Sequence, residues 1–142
     1  MFNKICIIGI GLIGGSIARA AREQGLCDHI VAFGRESGIK NLQTAKKLGV
    51  IDEYYLDIES AAKQADCIII CTPVGVIERM FRMLQPFWNE QAIYTDAGST
   101  KGSVIAAAKA VFGEVPANFV PAHPIAGAES SGVEASRADL YK

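Results

Sequence analysis

The chain has 142 residues, half of them hydrophobic, and 14 Lys plus Arg against 15 Asp plus Glu leave a formal net charge of −1. That is one domain's worth of chain with enough apolar residues for a real core. The balance excludes a strongly basic nucleic-acid surface, and no apolar run approaches the ~20 residues of a membrane span. The opening residues read as a strand broken by glycines, not as a leader with a cleavage site, so a cytoplasmic protein is expected.

The first strand is the apolar run Lys4-Ile5-Cys6-Ile7-Ile8, which ends in Gly9-Ile10-Gly11-Leu12-Ile13-Gly14. A helical pattern follows from Leu12 to Gln24, with Ile13, Ile17, Ala20 and Ala21 on one face and Gly25 as its stop. Ile30–Phe33 reads as a second strand, 34–38 as a loop, and Ile39–Leu48 as a helix with Asn41, Lys46 and Lys47 on its wet side. A short strand is expected within 50–56 and a short helix over 58–64. Cys67-Ile68-Ile69-Ile70-Cys71 is a continuous apolar run, the pattern of a parallel strand covered on both faces. Thr72-Pro73-Val74 and a helix from about Gly75 to Leu84 follow. The remaining elements are a strand at 92–95, a polar loop from Asp96 to Lys101, a helix over 103–112 and a short strand at 118–120; periodicity is lost from Pro121.

Alternating strands and helices predict an α/β fold, a doubly wound, mostly parallel sheet of the Rossmann type. Right-handed crossovers then bring the segments after each strand to one rim, at the carboxyl ends of the strands. Those segments are 9–14, 34–37, 72–74, 96–101 and 121–127. No repeat, linker or low-complexity stretch divides the chain, so residues 1–142 are expected to be one dinucleotide-binding domain cut from a longer enzyme.

G-x-G-x-x-G between strand and helix gives each glycine a task. Gly9 makes the tight turn, Gly11 lets backbone approach a pyrophosphate, and Gly14 lets the helix lie close on the strand. Backbone N–H groups of Leu12, Ile13 and Gly14 then face the anion at the helix N-terminus, and Thr72, Pro73 and Ser99 belong to the same cofactor rim. A ribose-binding acid is expected about 20 residues beyond the glycines, yet that position is Gly34, followed by Arg35, Glu36 and Ser37. A guanidinium fork and a hydroxyl without a carboxylate at the strand end suit a 2′-phosphate. NADP is therefore favoured, with NAD the cofactor if Glu36 turns inward.

Four cysteines, Cys6, Cys27, Cys67 and Cys71, form no C-x-x-C pair, and the two histidines lie far apart. No metal site is expected; the cysteines read as small core residues in a reducing compartment. His29 falls at the far end of the sheet and reads as a surface residue. His123 follows the last strand, on the rim, where an imidazole can take a proton as hydride leaves the adjacent carbon.

Three motifs in order, Gly9-x-Gly11-Leu12-Ile13-Gly14-Gly15-Ser16, Asp96-x-Gly98-Ser99-x-Lys101-Gly102 and His123-Pro124-Ile125-Ala126-Gly127-x-Glu129-x-Ser131-Gly132, resemble the prephenate/arogenate dehydrogenase family. The resemblance covers the whole chain. It implies an oxidoreductase of tyrosine biosynthesis that oxidatively decarboxylates prephenate or arogenate with a nicotinamide cofactor. His123 matches the catalytic histidine, Ser99 the serine that holds the substrate hydroxyl and orients the histidine, and Glu129 a glutamate that gates the site. The family's helical second domain, which forms the homodimer and helps to bind the substrate carboxylate, is not among these residues. The chain alone is expected to bind nucleotide without turnover. Two other readings stay open: a β-hydroxyacid or imine reductase type of dehydrogenase, and a nucleotide-sensing module with no turnover.

Overall fold

The computed structural model describes residues 2–10, 12–97 and 101–120. Six strands, β1 (Phe2–Ile8), β2 (Cys27–Phe33), β3 (Glu53–Tyr55), β4 (Cys67–Ile70), β5 (Ile93–Asp96) and β6 (Phe119–Val120), form one sheet. Five α-helices connect them: α1 (Leu12–Glu23), α2 (Ile39–Lys47), α3 (Ile58–Ala62), α4 (Val74–Leu84) and α5 (Lys101–Phe112). All five strand pairs are parallel. The order β3-β2-β1-β4-β5-β6 is that of the doubly wound dinucleotide fold, with the topological switch between β1 and β4.

The two-residue period of the strands divides the core between two faces. Cys6 and Ile8, Val31 and Phe33, and Ile68 and Ile70 meet Ile77, Met80, Phe81 and Leu84 of α4, together with side chains of α3 and α5. Ile5 and Ile7, Ile30 and Ala32, and Cys67 and Ile69 meet Ala18 and Ala21 of α1 and Leu42 and Ala45 of α2. Both faces being covered, the central strands read as unbroken apolar runs. The first of these layers is closed by aromatic rings. Trp88 stacks on Tyr94 at 3.5 Å, and Phe81 meets Phe119 edge-on at 5.3 Å.

Element positions agree with the sequence reading, with local departures. β2 begins at Cys27, three residues before the apolar run, because its polar start is held from outside the strand. Asp52 accepts the Ile30 N–H at 2.8 Å and pairs with Arg22 at 3.0 Å. Burial works against charge on Asp52, but that N–H and Arg22 together hold its pKa below the ordinary value. His29 lies in this exposed end, 3.6 Å from Asp52. β4 ends at Ile70, so Cys71 stands just beyond the strand, its N–H still donating to Ile8 O at 2.7 Å. Burial pushes the thiol of Cys6 up to about 12 and that of Cys67 to about 11. No helix among the described residues is long and apolar enough to cross a membrane.

The stop of α1 is the one foreseen. Gly25 has φ of 66° and donates to Arg22 O while Leu26 donates to Ala21 O, a Schellman closure. α3 lacks such a glycine. It ends at Ala62, two residues short of the expected limit, and Gln64 takes φ of 60°, the only positive φ of a non-glycine among the described residues. Gln64→Gly should stabilise the fold by about 0.5–1 kcal/mol, since relief of ~1–2 kcal/mol outweighs the added backbone entropy of ~0.5–1 kcal/mol. Urea denaturation of the two proteins measures it; an unchanged or lower midpoint would show that this turn is not strained.

Candidate functional site: the cleft at the carboxyl ends of β1, β2 and β4

A cleft of about 280 Å³ opens at the switch point between β1 and β4. Its floor is apolar, from Ile8, Phe33, Leu42, Val76 and Met80, and its polar edge carries Arg35, Ser37, Asn41 and Thr72. A mostly apolar concavity with a few convergent polar groups is the usual form of a small-molecule site. Backbone bonds hold the rim segments in place one residue past each strand. Gly9 N donates to Phe33 O, Gly34 N to Tyr55 O, Cys71 N to Ile8 O and Ala97 N to Ile70 O.

The glycine turn is built as its sequence demands. Gly9 has φ of +89°, and a β-carbon there would stand 3.0 Å from Thr72 Cγ2. Gly14 is required by contact: its β-carbon would lie 2.6 Å from the backbone oxygen of Gly9 and 3.1 Å from Ile7 Cγ2. That is the close approach of α1 to β1. No acidic residue occupies the first turn of α1, so the positive end of the helix is left without a carboxylate.

Gly9, Arg35, Ser37, Thr72 and Pro73 line the cleft together, as the sequence reading expects of cofactor-binding residues. Gly14 lies beneath the turn, and Leu12 and Ile13 open α1. Gly11, Ser99, His123 and Glu129 lie outside the described residues. Glu36 is exposed in the 3₁₀ turn Glu36–Gly38 and is not among the lining residues. Arg35 is exposed and makes no ion pair with another described residue. Asn41 was expected on the wet side of its helix, and here the structure differs. It is half-buried, and its side-chain amide donates to the carbonyl oxygen of Ile10 in the glycine turn. No local pattern marks such a bond, because its partner lies 31 residues away.

Two observations fit this cleft to a nucleotide cofactor. A side chain at Gly9 would strike Thr72 and the backbone of Cys71, so this position keeps the tight turn that leads into the N-terminus of α1, where a pyrophosphate binds in such folds. Thr72 Oγ1 is buried without a hydrogen-bond partner, the one such side-chain atom among the described residues; buried polar atoms are ordinarily paired. Burial, with Asp96 nearby, pushes the Cys71 thiol far above its ordinary value, so it stays protonated beside the turn. No group of three His, Cys, Asp or Glu side chains among the described residues could hold a metal ion.

Strand order, glycine turn and cleft define a dinucleotide-binding α/β domain. Residues 17–142 match the family described as prephenate dehydrogenase, nucleotide-binding domain, and the chain belongs to that family. It is 34% identical to the prephenate dehydrogenase of Lactococcus lactis over 99% of this chain and 39% of that protein. To the cyclohexadienyl dehydrogenase of Zymomonas mobilis it is 33% identical, over 100% of this chain and 47% of that protein. The crystal structure of Aquifex aeolicus prephenate dehydrogenase in complex with hydroxyphenyl propionate and NAD⁺ superimposes with a TM-score of 0.88 at 31% identity, over 100% of this chain and 48% of that one. The chain thus spans less than half the length of these relatives.

Gly14→Ala is expected to cost about 1–3 kcal/mol, the usual range for overpacking, because the atom nearest its new methyl group is backbone that cannot swing aside. Thermal denaturation checks this, and an unchanged midpoint would mean that α1 does not press on the turn. Gly75→Ala is the control, since nothing lies within 4 Å of its β-carbon position.

Proposed function

We propose that this chain is the nicotinamide-cofactor half of a dehydrogenase that oxidatively decarboxylates prephenate or arogenate in tyrosine biosynthesis, with NADP as its cofactor. The observation that carries the reading is the cleft at the switch point, with its glycine turn and free guanidinium, in a chain of this family.

The cofactor, when bound, accepts a hydride from the hydroxyl-bearing ring carbon; the chain's own residues bind, orient and polarise. The Gly9 turn and the N-terminus of α1 receive the pyrophosphate. Thr72, with its unpaired hydroxyl, and Pro73 border the cofactor from the end of β4. Ser99 and His123, assigned from the motif match, act on the substrate: Ser99 holds the ring hydroxyl, and His123 accepts its proton. Loss of the carboxyl group then aromatises the ring, so positioning and one polarised hydroxyl are the main demands on the protein. Glu129 gates that pocket. Part of the pocket, including a cation for the substrate carboxylate, comes from the second domain of the whole enzyme, which forms the homodimer.

Three features support NADP over NAD. Leu42 Cδ1 lies 2.9 Å from the β-carbon position of Gly34 and fills the space where NAD-binding folds place an acid. Arg35 and Ser37 line the cleft, and Glu36 does not. The Arg35 guanidinium has no carboxylate partner among the described residues, which leaves its fork for a phosphate.

Arg35→Ala should weaken NADP by about 1.5–3 kcal/mol, the worth of a hydrogen bond to a charged group, and leave NAD little changed. Calorimetric titration of both nucleotides reads this; equal affinities in the unmutated protein would refute the preference. For the reaction itself, the whole enzyme should oxidise prephenate or arogenate, and His123→Asn should lower kcat by about 10²–10⁴-fold with nucleotide affinity retained. Near-normal kcat in that variant would remove His123 from the chemistry. Inactivity of the unmutated enzyme toward both substrates would overturn the reaction.

A further inference from the structure

We infer that Asn41 is a positioning residue for the dinucleotide: through its bond to the Ile10 carbonyl it ties the loop at the end of β2 to the glycine turn and fixes that turn for the pyrophosphate. The inference rests on the dinucleotide reading and adds a residue that neither the glycine motif nor the search for a ribose-binding side chain would find.

Asn41 stands in the first turn of α2, behind Arg35 and Ser37, and lines the same cleft as Ile10, Gly9 and Thr72. Its side-chain amide makes the one side-chain hydrogen bond from this helix to the turn among the described residues. The turn needs such a link. Gly9 provides conformational freedom, and a phosphate-binding turn must hold its N–H groups toward the anion and its carbonyls elsewhere. A peptide group free to rotate would present an oxygen to the phosphate for part of the time. An amide donor on the Ile10 oxygen opposes that rotation, because turning the peptide would break the bond and leave the oxygen of a nearly buried residue without it. Helix α2 is itself firmly seated, with Leu42 1% and Ala45 0% exposed against the sheet.

The same geometry gives a division of labour. Arg35 and Ser37 are exposed at the edge of the cleft, whereas Asn41, one helical turn on, bonds back to the glycine turn. Binding at the ribose end does not need the Ile10 peptide; binding across the pyrophosphate does.

The test is Asn41→Leu, which keeps the size of the side chain and removes the donor, in the purified protein. Two measurements are made: affinities for NADP, NAD and the mononucleotide 2′-AMP, and hydrogen exchange of the amides at 9–16 without ligand. Both dinucleotides should weaken about tenfold, as the loss of one well-placed hydrogen bond allows, while 2′-AMP stays within twofold. Exchange at 9–16 should quicken several-fold, with the exchange of β1 and β4 unchanged. Unchanged NAD affinity, or unchanged exchange at 9–16, would overturn the inference. A loss of 2′-AMP binding equal to that of the dinucleotides would overturn it too, by showing that Asn41 touches the ribose phosphate itself. If the unmutated protein bound neither dinucleotide, the cofactor reading would fall on its own; exchange at 9–16 would still decide whether Asn41 holds the turn.

Discussion

The contact on which the rest depends is that of Gly14 with the backbone of Gly9. The chain leaves β1 and enters α1 within three residues, and the helix comes so near the strand end that a β-carbon at 14 would lie 2.6 Å from a carbonyl oxygen. That nearness seats Ala18 and Ala21 against Ile5 and Ile7 and starts one of the two core layers. It also brings the N-terminus of α1 to the carboxyl edge of the sheet, beside the gap where β1 and β4 part toward opposite directions of winding. Packing and site share one cause here. A substitution that pushed α1 outward would open the core and spoil the anion-binding turn together.

The sheet then carries that local geometry across the domain. Parallel pairing sets Ile8 beside Phe33 on one side and Ile70 on the other, and Ile70 beside Asp96. The four strand ends are thus level, and the backbone bonds beyond them keep the following segments level as well. A cleft of fixed shape follows from register rather than from the loops' own preferences. At the opposite edge the strands are tied by side chains. Asp66 accepts from Asn3 N at 2.6 Å, Asp52 from Ile30 N, and Asn118 bridges to the carbonyls of Asn89 and Ala92.

How much of this is legible in the sequence depends on how local its cause is. The runs at 4–8 and 67–71 announce central parallel strands because both faces of such strands are apolar, and Gly25 announces a helix stop because only a positive φ closes it cheaply. The glycine turn is legible for the same reason. Gln64 is not: it adopts a glycine-like φ with no glycine to signal it, and the helical pattern of the sequence runs on to it. The polar start of β2 was missed because Asp52 and Arg22, which hold it, come from elsewhere in the chain. Asn41 is the case that matters for the site. A half-buried asparagine in the first turn of a helix looks like any solvated residue until the topology brings α2 over Ile10. The motif residues Ser99, His123 and Glu129 enter only through the family resemblance, and they fall outside the described residues.

The helix ends explain why this rim, and not the helices themselves, selects an anion. A free-standing helix ordinarily satisfies its first N–H groups with a Ser, Thr, Asp or Asn cap. α3, at the β3 edge, does so: Asp57 accepts from Ser60 N at 2.9 Å, and Glu59 adds a charge in the first turn. The helices around the cleft do not. α2 follows Gly38 and α4 follows Pro73, neither making a side-chain cap, and α1, α2 and α4 have no acid in their first turns. At Pro73 the omission gives up about 1 kcal/mol of helix stability that a cap would supply, and at Gly38 only a few tenths of that. Two helix starts without a side-chain cap and three without a first-turn acid, set against a capped helix away from the cleft, make the rim poor in its own acceptors. A phosphate-bearing ligand at these helix starts has no first-turn carboxylate to displace.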